Sequence, residues 1–195
     1  MFCGTNLSVE GLGDSIPAHL RNRLVFVKMR KATAEEWVRW ATDAGINPMV
    51  IAFVSNNPMV MHSFLDYEKG GAFEGKDLSK DNGHIFNPKS TQQAYATPRS
   101  FVAVGDILDA GLGVLDDDTL EQAIIGTVGR VTAEAMSAFI RFGRDICDYS
   151  RVIADPAKAP LSDNPTAQLI QVFQFVSRTQ EDRKSTRLNS SHVSE

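Results

Sequence analysis

At four places in this chain a residue that caps helices stands directly before proline with an apolar segment after the pair. The pairs are Asn47-Pro48, Asn57-Pro58, Thr97-Pro98 and Asn164-Pro165. Asn and Thr side chains accept hydrogen bonds from the free N–H groups of a first helical turn. Proline fits beside them because the N–H it lacks would have had no partner there. Thr33 and Glu36 add a capping box, and Gly45 supplies the matching stop. The chain after residue 31 is therefore expected to be mainly α.

Apolar spacing sketches the faces of these helices. Trp37, Trp40, Ala41 and Ala44 form one stripe after Thr33, and tryptophans at that spacing read as core. Phe101, Val104, Ile107 and Leu108 form the buried side of the helix capped by Thr97. Asp116-Asp117-Asp118 reads as an acidic helix start, favoured by the macrodipole, ahead of Leu120, Ala123, Ile124 and Val128. A metal site is the sharper alternative, but successive carboxylates on a helix point in different directions. Thr132 is expected to cap a helix carrying Met136, Phe139 and Ile140, and 145–163 reads as irregular. The last helix should run from Asn164 to about Thr179, with Leu169, Ile170, Val172, Phe173 and Val176 inward. Residues 66–96 are polar, Gly-rich and without period, so they read as a long loop. Residues 184–195 are small, polar and patternless, like translated vector sequence. They are expected to be a non-native disordered tail outside the fold.

The first thirty-one residues differ in kind. Met1, Phe2 and Cys3 form a short apolar run that ends in Gly4-Thr5-Asn6, and a second apolar run covers 24–29. Both read as strands too apolar for an exposed sheet face. Between them lie a Gly/Asp loop and a short amphipathic segment that delivers Arg21 and Arg23. A strand ending in a side-chain amide, beside a turn with paired arginines, suits a charged oxyanion such as phosphate. The plainer alternative is a strand, a loop and two solvated arginines.

GTN at 4–6, HLRNR at 19–23 and TPRS at 97–100 together resemble the second half of an AAA+ ATPase of the MoxR-like kind. The resemblance covers residues 1 to about 183. It implies that 1–31 is a remnant of the α/β large domain, contributing two strands, and that 32–183 is a helical lid bundle. By the same resemblance Asn6 is sensor 1, Arg23 the arginine finger with Arg21 the second choice, and Arg99 sensor 2. ATP and Mg follow as cofactors of the complete protein, with a ring of subunits and a client protein as partners. The P-loop and the Walker B acidic pair are expected upstream of Asn6, so that 1–195 alone should be inactive. A near match at 70–77 is a decoy. Gly70, Gly75 and Lys76 fit the first seven positions of a P-loop, but Asp77 stands where a Ser or Thr hydroxyl must reach the metal.

Composition narrows the alternatives. The 195 residues, 43% apolar and 23% charged, can bury one sizeable core, and a net charge of −4 weighs against a nucleic-acid surface. A nucleic-acid binder using Arg130, Arg141, Arg144 and Arg151 therefore ranks behind a helical protein-interaction module without nucleotide chemistry. Cys3 and Cys147 make no metal or disulfide pattern, and His19, His62, His84 and His192 have no ligand spacing. No run reaches membrane-spanning length and no signal peptide is visible, so a cytoplasmic location without membrane contact is expected.

Overall fold

The computed structural model describes residues 19, 23, 25, 27, 29–144, 149–159 and 162–192. The chain divides into two compact units, Met1–Lys31 and Ala32–Glu195. Among its described residues the second contains eight helices: α1 (Ala34–Ala44), α2 (Pro48–Asn56), α3 (Leu78–Asp81), α4 (Pro98–Gly111), α5 (Asp117–Val128), α6 (Arg130–Arg144), α7 (Tyr149–Ala154) and α8 (Pro165–His192). Two 3-10 turns, Pro58–Met61 and Phe64–Tyr67, lie between α2 and α3.

The mainly α expectation holds for the described residues, among which there is no strand. In the first unit the described members of the 24–29 run, Val25, Val27 and Met29, are unpaired and largely exposed. The expected strand is thus absent at these three positions. A strand persists only where a neighbour takes up its N–H and C=O groups, and here they have no ladder. The expected strand at Met1, Phe2 and Cys3 lies outside the described residues.

The bundle is built around α2. Asn47 opens it by accepting a hydrogen bond from the N–H of Met49 at 2.9 Å, with Pro48 at the first position. Val50, Ile51, Ala52, Phe53 and Val54 are all fully buried, so α2 is apolar all round and must be enclosed. It packs against α1, α4, α6 and α8. The Phe53 ring meets Phe139 of α6 edge-on at 5.3 Å and Phe101 of α4 at 6.0 Å. Trp37 of α1 closes the aromatic row, 5.9 Å from Phe101. Helix α5 covers α4 and α6.

Several helix boundaries and faces depart from expectation. Asn57-Pro58 starts a 3-10 turn, because Asn57 bonds back to the carbonyl of Phe53 and so ends α2 without capping a new helix. Helix α6 begins at Arg130, so Thr132 is not its cap but a buried residue in its first turn. Gly129 makes the corner between α5 and α6 with φ 82° and ψ 156°. Residues 145–163 contain the short helix α7. On α1, Trp37 and Ala41 are core, whereas Trp40 is half-exposed and Ala44 exposed. On α8, Val172 and Val176 face solvent at 55% and 40% exposure, while Gln171 and Ser177 are buried in their place. The α8 backbone is helical to His192, beyond the expected end near Thr179 and into the stretch expected to be disordered.

Residues 66–96 are mostly irregular but firmly attached. Ile85 and Ala96 are fully buried, and the Phe86 ring lies between those of Phe64 and Tyr95. Asn82 donates to the carbonyl of Met59 and to the Tyr67 hydroxyl. The near match at 70–77 follows a 3-10 turn and leads into α3, a helix of four residues capped by the Asp77 carboxylate. Lys76 sits 5.3 Å from the centre of the Phe73 ring.

Candidate functional site

Arg99 occupies the first turn of α4, and the local sequence explains how that turn is held. The Thr97 hydroxyl accepts from the N–H of Ser100 at 2.9 Å, and the Ser100 hydroxyl accepts from the N–H of Thr97 at 2.8 Å. The result is a reciprocal capping box with Ser at the third position and Pro98 at the first. The chain arriving at Thr97 is fixed as well, since Ala96 N–H donates to the His84 carbonyl at 2.8 Å. His84 in turn pairs its Nδ1 with the buried hydroxyl of Thr132 at 3.2 Å. Burial pushes the His84 pKa below the usual imidazole value.

Arg99 itself is exposed and has no hydrogen-bond or ion-pair partner among the described residues. It stands on a ridge between two concavities. One is a groove of about 580 Å³ between α1 and α4, lined chiefly by Trp37, Trp40, Val102 and Ala103, with Glu36 and Asp106 among its polar residues. The other is an open hollow of about 570 Å³, formed by 93–95, the start of α4, and Gly126 with Thr127 of α5. A guanidinium carries five donors in a planar fork and keeps its charge at any ordinary pH. Left unpaired beside concave surface and at the positive end of a 14-residue helix, it can take a phosphate or carboxylate.

The other expected site residues are less well placed for description. Arg23 is exposed in a turn of the first unit, while Asn6 and Arg21 lie outside the described residues. Arg23 and Arg99 belong to different units. The rival arginine set is scattered in role. Arg130 approaches Glu134 at 3.9 Å, and Arg141 lines a small crevice with Asp117 and Glu121. The Asp116 carboxylate caps α5, accepting from the Thr119 N–H at 2.9 Å and its hydroxyl at 2.7 Å, which holds its pKa below the usual range. Among the described residues no three His, Cys, Asp or Glu side chains form a metal-binding group, and no helix is long and apolar enough to cross a membrane.

Pattern alone does not mark Ser100 as part of the site, nor Trp40 as a wall of the groove. The spacing of Thr97 and Ser100 is a usable signal, since a short polar residue three places after a Thr cap can close the box. Trp40 carries no such signal, because Trp37 at i−3 makes it look like a second core residue. Comparison with family models, with curated proteins and with solved structures finds no match to this chain.

Proposed function

We propose that residues 1–183 form the C-terminal part of an AAA+ ATPase of the MoxR-like kind, which binds and hydrolyses ATP to remodel a client protein. The observation that carries this reading is Arg99, an arginine without a partner among the described residues, on the capped first turn of α4 within the TPRS sequence. Phosphoryl transfer needs charge stabilisation around the γ-phosphate more than covalent chemistry from the protein. In this reading Arg99 touches the nucleotide's phosphates from the helical lid, 32–183, and lid rotation reports the state of the nucleotide. Asn6 orients the attacking water, and Arg23, or Arg21 beside it, completes the site of a neighbouring subunit in a ring. Mg is held by residues of the P-loop half, which 1–195 does not contain.

The test is the coding sequence ahead of residue 1, followed by assay of the protein it encodes. A strand, GxxxxGK[ST] and helix, then a strand ending in an acidic pair, are expected there. The joined protein should release phosphate from ATP, and residues 1–195 alone should not. A reading frame without a P-loop removes the proposal.

A helical protein-interaction module is the second reading, favoured by the half-exposed Trp40 in the apolar α1–α4 groove. It predicts that the longer protein binds no ATP analogue.

A further inference from the structure

We propose that Ser100 is a positioning residue for Arg99, fixing the direction from which the guanidinium reaches a nucleotide's phosphates. The inference rests on the ATPase reading and adds to it a residue that makes no contact with phosphate. Its basis is the number of bonds meeting on one hydroxyl. Ser100 Oγ accepts from the Thr97 N–H at 2.8 Å and lies 3.1 Å from the Thr97 hydroxyl. Its single hydrogen faces the carbonyls of Tyr95 at 3.2 Å and Thr97 at 3.1 Å. A capping box alone needs only the exchange with Thr97. The approach to Tyr95 serves a different end, tying the first turn of α4 to the segment that leads into it.

That segment is itself held. The Ala94 carbonyl lies so close to Gly129 that a Cβ there would fall 2.5 Å from its oxygen, and Ala96 is pinned to the His84 carbonyl. Ser100 thus links the turn bearing Arg99 to a strap seated on the α5–α6 corner. Among the described residues Arg99 has no partner to set its direction, so the backbone beneath it does so. An alanine at 100 leaves the Thr97 N–H and the Tyr95 carbonyl unpaired and lets the turn tilt.

The experiment is a double-mutant cycle in the full-length protein, reading the Kd for Mg·ATP and the thermal midpoint together. Arg99→Ala should weaken binding, and Ser100→Ala should weaken it by about 3- to 10-fold, the range for losing a neutral hydrogen bond. Ser100→Thr, which keeps the hydroxyl, should restore binding. In an Arg99→Ala background Ser100→Ala should cost nothing further in affinity, because its effect runs through Arg99. If Arg99→Ala leaves Kd unchanged, the ATPase reading fails. If Arg99→Ala weakens binding but Ser100→Ala only lowers the midpoint, or adds its full effect without Arg99, Ser100 is a structural cap and the inference is overturned.

Discussion

Two glycines about one helical turn apart should respond in opposite ways to the same methyl group. Gly129 turns the corner between α5 and α6 at φ 82° and ψ 156°, a region that costs an L-residue about 1–3 kcal/mol. A Cβ at 129 would also fall 2.5 Å from the Ala94 carbonyl oxygen and 3.2 Å from its carbon. Those are backbone atoms, held by the strap and unable to rotate away, so overpacking adds about 1–3 kcal/mol. Gly129→Ala should therefore destabilise by roughly 2–6 kcal/mol in all. For a chain of this length that lowers the thermal midpoint by roughly 4–24 °C. Gly126, inside α5, has nothing within 4 Å of its would-be Cβ. There alanine removes the helix penalty of glycine, and the midpoint should rise by about 1–4 °C. Thermal unfolding followed by far-UV circular dichroism, with urea titration as a check on two-state behaviour, reads both. A Gly129→Ala midpoint within about 2 °C of the parent would refute the close seating of the strap on the corner.

Val172→Gln with Val176→Gln should change stability by no more than about 0.5 kcal/mol, since both side chains face solvent; a loss several times larger in urea titration would put them back in the core. His84 should make the bundle acid-sensitive. Its folded pKa lies below the unfolded value of 6.5, so the unfolded chain binds the extra proton first as pH falls. Stability present above that value is then lost as pH drops toward the folded pKa. The loss between about pH 7.5 and about pH 5.5 should shrink in His84→Gln, and an unchanged slope would refute this. If the ATPase reading holds, Arg23→Ala in the full-length protein should lower ATP turnover by about 10³-fold, the low end for an arginine finger because Arg21 is near in sequence, with little change in affinity. Mixing with Walker-B-dead subunits that keep an intact arginine should restore activity at the Arg23→Ala subunits' own sites. Failure of that rescue would exclude action in trans.

Local signals are legible where a few neighbouring residues decide the outcome. The caps at Thr33, Asn47, Thr97, Asp116 and Asn164 are each realised by a side-chain oxygen accepting an N–H two or three residues on. The same bonding, readable in Thr97-Pro98 alone, sets Arg99 on a first turn. Features set by distant partners are not legible. Trp40 and Trp37 are alike in sequence, yet only Trp37 meets Phe101 of α4. The apolar pattern of α8 points Val172 and Val176 inward, but packing against α1, α2 and α6 buries Gln171 and Ser177. The polar segment 66–96 carries no sign that Ile85 and Ala96 are fully enclosed. Its anchors, Thr132 and Gly129, lie more than thirty residues downstream, beyond any local window. The groove beside Arg99 belongs to the same class, since its walls come from α1 and α4.

The enclosure of α2 also sets a timetable for synthesis. Its nine residues leave the ribosome well ahead of α8, one of the helices that enclose it, which begins only at Pro165. At ordinary elongation rates roughly 5–20 s separate the two events. Throughout that interval Val50, Ile51, Phe53 and Val54 are an adhesive surface without its full cover. A nascent chain stalled between α2 and α8 should be the species most readily captured by chaperones that bind exposed apolar segments, and release should follow once the end of α8 has emerged.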